Sequence, residues 1–458
     1  MLTRPVMSRD ELTALIDEGS IDSVVMGFVD RYGRLTGKRA TGRFFVDHVA
    51  DHGTENCDYL LTCNIENDPA TGFRFSSFDK GYGDMVARAD WSTVRILPWV
   101  PRTALVMCDL FSVETGDMVE VAPRTILRRQ VEAAAVMGYL PMVGSEIEFY
   151  LYRDSYEEAH ARGYSGLSTH SNFAEDYNIL QTTRDEYVIG DIRRALEGAG
   201  IPVEFSKGEA GRGQHEINLS YSTALEMADR NHIYKNAAKE IAATHGRSVT
   251  FMAKPSMSDV GSSCHVHASL WSLDGATALF ADHHGEHGAS ELFRRFVAGQ
   301  IATARDFTLL WAPTVNSYKR FQPESWAPTG IGWGIDNRTL GFRKVGHGSS
   351  TRVENRIPGA DAISYLAFAG AIAGGLYGIR HQLELGSPYS GNGYTASDID
   401  RIPWNLRDAI DLWRDSAVAK ECFGDDVHHW VLRAAESEWE AFNKTVTDWE
   451  MFRYFERI

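Results

Sequence analysis

Two periodicities alternate along the chain. Residues 8–18 space apolar side chains as a helix does, behind Ser8 and with Glu11 three positions on, which predicts a short helix closed by a capping box. "SVVMGFVD" then reads as a strand, "RYGR" as a turn and "LTGKRA" as the partner strand. This small unit runs to about residue 112, through the Gly-rich "DKGYGDM". Helical spacing resumes at "VAPRTILRRQVEAAAVMGY", with Pro123 in the first turn. Further helices are predicted at 185–199, 223–245, 290–310, 361–379 and 425–455, separated by the strand-like runs "MVGSEIEFYLY", "IPVEFS", "QHEINLS", "SCHVHASLW" and "TRVENRIP". Strands and helices intermingle without a βαβ beat, so the pattern predicts an α+β fold rather than a doubly wound sheet. Two domains are expected, 1–112 and 113–458.

Side chains alternate faces along a strand. Glu146 and Glu148 therefore share a face of "GSEIEFY", as do Gln214, Glu216 and Asn218 in "GQHEINL", with Glu209 arriving from the Gly-rich loop before it. His265, His267 and Ser269 share a face in "CHVHASL", and Arg352, Glu354 and Arg356 in "TRVENRIP". Taken singly, each is an ordinary antiparallel strand with a wet face. If the four faces converge, five glutamates (146, 148, 209, 216 and 354) meet a histidine, and such carboxylates raise one another's pKa unless a cation neutralises them. Oxygen-rich ligation with one imidazole suits Mg²⁺ or Mn²⁺ better than zinc. Interleaved arginines would hold anionic substrates, a combination fitted to phosphoryl transfer.

Composition narrows the partners. A net charge of −16, with no long basic stretch, excludes a nucleic-acid footprint. Residues 362–379 carry no charge and stand at the short limit of a membrane span, but their Gly and Ala content reads as a buried helix. The first residues meet acids early and lack the apolar core of a secretory signal. Five scattered cysteines without a CxxC pair fit a reducing compartment, so a cytoplasmic protein is expected. "DHHGEHGAS" (282–290) reads as a polar hairpin loop rather than a metal site. No GxxxxGK[ST] loop and no GxSxG elbow occurs, and "GIGWG" lacks the setting of a dinucleotide fingerprint. In "NSYKRFQPESWAPTG" (316–330), two cations precede a proline-punctuated run holding Glu324 and Trp326.

The segments "SEIEFY", "GEAGRGQHEIN", "KPSMSDVGSSCHVHASL", "NSYKR" and "RVENRIPG", in this order, resemble the glutamine synthetase superfamily through nearly the whole chain. The resemblance implies an N-terminal β-grasp domain, a catalytic domain whose antiparallel strands form a funnel, and homo-oligomers of two hexameric rings with sites shared between subunits. It implies two or three Mg²⁺ or Mn²⁺ ions per site: Glu148, Glu209 and Glu216 on one, and Glu146, His265 and Glu354 on a second beside the phosphates of ATP, the co-substrate. His267 and Ser269 fall at nucleotide-contact positions, and Arg338 and Arg343 beside the transferring phosphoryl group. Arg320, Arg356 and Gly261 match the glutamate site. The implied reaction makes a γ-glutamyl phosphate from glutamate and ATP, which an amine then attacks.

Three departures set this chain apart from ammonia-using members. Trp326 replaces the glutamate that normally precedes "AP" and takes up the ammonium proton, with Glu324 the nearest acid and a candidate displaced base. "FRFSSFDKGYGD" has no acid before its serines where an ammonium-binding aspartate is usual, and Val260 replaces an asparagine. With the metal and phosphoryl positions intact and the amine end rebuilt, the chain resembles the γ-glutamylamide synthetase branch, whose members ligate larger amines. A tryptophan can pack on a carbon skeleton and attract an ammonium head. An ordinary glutamine synthetase, and a silent scaffold that keeps the fold, are the alternatives. Tyr394 in "GNGYTASD" stands roughly where some bacterial members are adenylylated, but its flanks match poorly and it reads as an exposed loop tyrosine.

Overall fold

A computed structural model describes residues 7–458; the first six, part of the stretch scanned for a leader, lie outside the described residues. The first helix, Arg9–Asp17, has the expected capping box: Glu11 N–H donates to Ser8 Oγ at 3.2 Å and Ser8 N–H to the Glu11 carboxylate at 2.7 Å. Six strands follow: β1 (Ser23–Val29), β2 (Leu35–Thr41), β3 (Thr54–Cys57), β4 (Asp84–Ala89), β5 (Arg95–Ile96) and β6 (Thr103–Ser112). They form a sheet in the order β2-β1-β6-β4-β3, with β5 on β6. β1 and β2 are the antiparallel pair expected, while β1 runs parallel to β6.

The second sheet holds β7 (Tyr139–Tyr152), β8 (Val203–Gly208), β9 (Gln214–Leu219), β10 (Ser222–Thr223), β11 (Ser248–Thr250) and β12 (Cys264–Ser272). β13 (Gly330–Ile331) pairs apart with Asp400–Arg401, and β14 (Trp333–Ile335), β15 (Phe342–Val345) and β16 (Arg352–Asn355) complete the sheet. Its order is β14-β15-β16-β12-β7-β9-β8, antiparallel except for the β14–β15 pair. Mixed sheets and segregated helices make the α+β class expected from the pattern.

Helices pack behind the second sheet. Pro123–Val136 opens on Pro123, whose missing N–H costs nothing at that position. Ile179–Gly198 begins six residues earlier than its apolar spacing predicts, because Asn178 caps it. The stretch 290–310 breaks into Glu291–Thr303 and Thr308–Trp311. The final predicted helix is Ala417–Asn443, interrupted at Gly424 (φ 77°), followed by Asp448–Tyr454. The uncharged run becomes Ser364–Arg380, almost wholly buried, and among the described residues no helix is long and apolar enough to cross a membrane.

Candidate functional site

Strand register brings the four polar faces together. Across β7 and β9, Glu148 pairs with Glu216 and Glu146 with Asn218; across β7 and β12, Glu146 pairs with His265. On the other side of β12, His267 pairs with Glu354, and Glu354 pairs with Arg343 on β15. The result is a cavity of about 770 Å³. Of the residues read from sequence, Glu146, Glu148, Glu209, Glu216 and His265 line it, as do Gly261, Arg320, Trp326, Arg338, Arg343 and Arg356.

Two ligand sets stand in and beside this cavity. The ligand atoms of Glu148, Glu209 and Glu216 lie within 4.8 Å of one another, and so do those of Glu146, His265 and Glu354. Burial, and then the nearby Glu146, Glu209 and Glu148, push the Glu216 carboxyl far above its ordinary range; burial and Glu209 push Glu148 up as well. Like charge this dense fits a divalent cation. Lys207 already ion-pairs with Glu209. Glu148 is fixed by Ser263, whose N–H (2.8 Å) and Oγ (2.6 Å) donate to it, and by Gln214 Nε2 at 3.1 Å.

In the second set, burial acts to raise Glu146, but hydrogen bonds from His265 and His267 outweigh it and hold the carboxylate ionised. Burial pushes His265 down to about 4, with Arg356 adding to the effect, so the imidazole is neutral and free to ligate. His267 Nδ1 accepts from Arg352 Nε at 3.1 Å, so its Nε2–H is the donor to Glu146 at 3.0 Å. Both sets fit divalent metal ions.

The cations are arranged for anions. Arg320, fully buried, donates Nη1 to Ile357 O (2.8 Å) and Nη2 to Arg356 O (3.1 Å), keeping three of its N–H groups for other acceptors. Arg356 ion-pairs with Glu354 and leaves its buried Nε without a partner, an orphan donor that a carboxylate would satisfy. Arg343 joins Glu354 Oε2 at 2.8 Å and Asp336, while Arg338 is exposed at the rim. His267 and Ser269 line a second cavity of about 340 Å³ that shares Glu146, Phe205 and Asn218 with the first and contains the Tyr221–Trp271 ring pair, 6.5 Å apart.

Some placements differ from the sequence reading. Glu324 is exposed and does not line the cavity, because the backbone reverses at Glu324 (φ 59°) and again at Trp326 (φ 64°). Tyr394 is not an exposed loop tyrosine: it is half-buried and its hydroxyl is enclosed, without a hydrogen-bond partner. Asp176, Tyr177, Phe205 and Lys207 also line the cavity and were missed. For Asp176 and Tyr177 the signal available was faint, an acid and an aromatic set just before the Asn178 helix cap, while Phe205 and Lys207 lie on β8.

Residues 120–454 match the sequence model of the glutamine synthetase catalytic domain. The chain is 48% identical over 454 residues to the γ-glutamylethanolamide synthetase GlnA4 of Streptomyces coelicolor, covering 99% of this chain and 97% of that one. It is 37% identical over 446 residues to a glutamate–isopropylamine ligase of a Pseudomonas species, covering 97% of each. The solved structure of GmaS without ligand superposes with a TM-score of 0.84 at 28% identity, over 97% of this chain and 99% of that one. With the two acidic sets, the arginines and the strand register that assembles them, these matches establish that the chain belongs to the glutamine synthetase family.

Proposed function

We propose that this chain is an ATP-dependent ligase joining the γ-carboxylate of glutamate to an amine larger than ammonia. One observation carries the reading. The metal and phosphoryl side chains meet in one cavity, yet the residue before Ala327–Pro328 is Trp326, which lines that cavity where an ammonia enzyme carries an acid. Two relatives named for ethanolamide and isopropylamine products support it.

In this reading Arg320, Arg356 and the Gly261 loop hold the carboxylates of glutamate. The γ-carboxylate oxygen attacks the γ-phosphorus of ATP, ADP leaves, and Arg338 and Arg343 neutralise charge on the transferring group. His267 and Ser269 contact the nucleotide. Glu148, Glu209 and Glu216, and Glu146, His265 and Glu354, would hold two or three Mg²⁺ or Mn²⁺ ions per site, which would supply charge neutralisation. The amine nitrogen then attacks the acyl carbon of the γ-glutamyl phosphate, phosphate leaves and the nitrogen loses a proton. Asp176 lies on the cavity wall beside Tyr177 and is better placed to accept that proton than Glu324.

The N-terminal sheet is read as a β-grasp domain over 1–112, with 113–458 catalytic. Homo-oligomers of two hexameric rings are what the family resemblance implies; Tyr177, Ile179 and Trp326, large apolar groups left 69%, 77% and 60% exposed at the cavity, support contact with a second copy there. A cytoplasmic site of action accords with five free cysteines.

The test is ADP release from glutamate, ATP and Mg²⁺ over a panel of polyamines, ethanolamine, alkylamines, aromatic amines and ammonium. A larger amine should give the highest kcat/KM. Best turnover with millimolar ammonium would overturn the reading, and no metal-dependent turnover with any amine would favour a silent scaffold.

A further inference from the structure

A second group of ligand-type side chains lies behind the catalytic sheet, and the reaction described above does not use it. Strand alternation sends His215 to the face of β9 opposite Glu216. There it meets Asp185, from the helix Ile179–Gly198, and Glu175, from the loop preceding that helix. The three are buried, at 1%, 2% and 0% exposure, and their ligand atoms lie within 4.8 Å of one another. None of them lines the substrate cavity.

The contacts leave this group unbalanced. His215 Nε2 lies 2.8 Å from Asp185 Oδ2 and 3.5 Å from Glu175 Oε2, and His170 Nδ1 lies 2.5 Å from Asp185 Oδ1. Yet both carboxylate oxygens of Glu175 make no hydrogen bond. No lysine or arginine of the described residues pairs with either carboxylate. Two orphaned carboxylate oxygens on a side chain with no exposure are unusual, because each forfeits its hydration. Close approach is also built in: Gly208 faces Glu175 so tightly that a Cβ there would lie 2.5 Å from the Glu175 Cβ. The far nitrogen of His170 is held by Tyr187 Oη at 3.0 Å, as the outer nitrogen of a metal-bound histidine usually is.

We propose that Glu175, Asp185 and His215, joined on loading by His170 from the other oxygen of Asp185, form a structural site for one transition-metal ion of the Zn²⁺ class, distinct from the two acidic sets in the cavity. Two imidazoles and two carboxylates suit Zn²⁺ or Co²⁺ better than Mg²⁺. Ligand bonds of about 2.0–2.2 Å in a tetrahedron set ligand atoms about 3.3 Å apart. The His215–Glu175 separation of 3.5 Å already matches, and the two Asp185 contacts open slightly on loading. The ion would pin a segment with a second duty: the amides of Glu175 and Asp176 donate to Glu209 O at 3.3 and 3.0 Å, and Asp176 and Tyr177 form the cavity wall. It thus fixes that wall to the helix and the sheet from behind.

The experiment titrates chelator-stripped full-length protein with Co²⁺ in excess Mg²⁺. The expected result is one equivalent per chain with the intense visible bands of tetrahedral Co²⁺. The bands should vanish in Glu175→Gln, which keeps shape and removes only charge, and persist in Glu354→Ala, which damages the cavity set. Zn²⁺ at micromolar level should raise the Tm of the wild type and leave that of Glu175→Gln unchanged. Absence of tetrahedral bands overturns the proposal, as does their survival in Glu175→Gln or their loss in Glu354→Ala. So does an equal Zn²⁺ shift in wild type and Glu175→Gln; the group would then be a hydrogen-bonded His–Asp–His array beside a protonated Glu175.

Discussion

Trp326 occupies a backbone conformation few bulky residues adopt, φ 64°, and is 60% exposed beside the cavity. Strain of that kind persists where the surroundings hold it, and here it presents an indole to the cavity. Trp326→Ala should raise KM for the preferred amine by about 2- to 30-fold, the range of a cation–π contact of ~0.5–2 kcal/mol. KM for ATP should stay constant in the same steady-state assays. Gly261 makes a sharper case. A Cβ there would stand 2.7 Å from Ala253 O and 2.7 Å from Arg320 Cγ, so Gly261→Ala must displace the arginine or the backbone. KM for glutamate should rise at least about tenfold, at ~1.4 kcal/mol per factor of ten, with nucleotide binding by calorimetry unchanged. Both residues could be singled out in the sequence, Trp326 by an absent acid and Gly261 by its motif. The steric reason for Gly261 could not be read there.

At the scale of elements, β7, β9, β12 and β16 each carry polar residues on one face. Period-two alternation made those faces legible, since it is local to each strand. Which carboxylate meets which is set by register, as in Glu148 against Glu216 and His267 against Glu354. The same register stores repulsion: Glu216 is buried among three other glutamates. Glu216→Gln should therefore reduce kcat by at least about a hundredfold while leaving metal-free protein as stable as wild type or more so, as expected where function opposes stability. Chelator-treated samples compared by thermal melting and ADP release decide it; a large fall in Tm would mean that Glu216 acts mainly in folding. The loop carrying Glu175, Asp176 and Tyr177 was not legible, because no periodicity governs a loop and its partners lie on β8, β9 and a helix.

The whole molecule joins its two sheets through buried polar contacts. Arg124 reaches Asp90 (2.8 Å) and Asp109 (2.5 Å) on the N-terminal side and Asp229 (2.9 Å) on the helix Ala224–Thr244. From that same helix His232 donates Nδ1–H to Gly33 O at 2.9 Å, in the β1–β2 turn, and stacks on Tyr365 at 4.7 Å. Burial, helped by Lys235, pushes His232 down to about 3. The unfolded chain binds a proton at this histidine near pH 6.5 and the folded one does not, so its contribution is complete above about 6.5 and lost as pH falls toward 3. Stability measured by urea unfolding should drop by up to ~1.4 kcal/mol per pH unit from this source below pH 6. His232→Gln should flatten that slope, and an unchanged slope would remove His232 as its origin.

The sequence by itself determined the α+β class, the polar strand faces, most helices and the chemistry of the ligand sets, because alternation, capping and side-chain type are properties of short segments. Tertiary structure alone decided that Glu324 stays outside the cavity while Asp176 enters it, and that Glu175, Asp185 and His215 meet behind β9. Those are relations between residues far apart in the chain, fixed by ladder hydrogen bonds and by glycines such as Gly208 that permit close approach, and no local pattern encodes them.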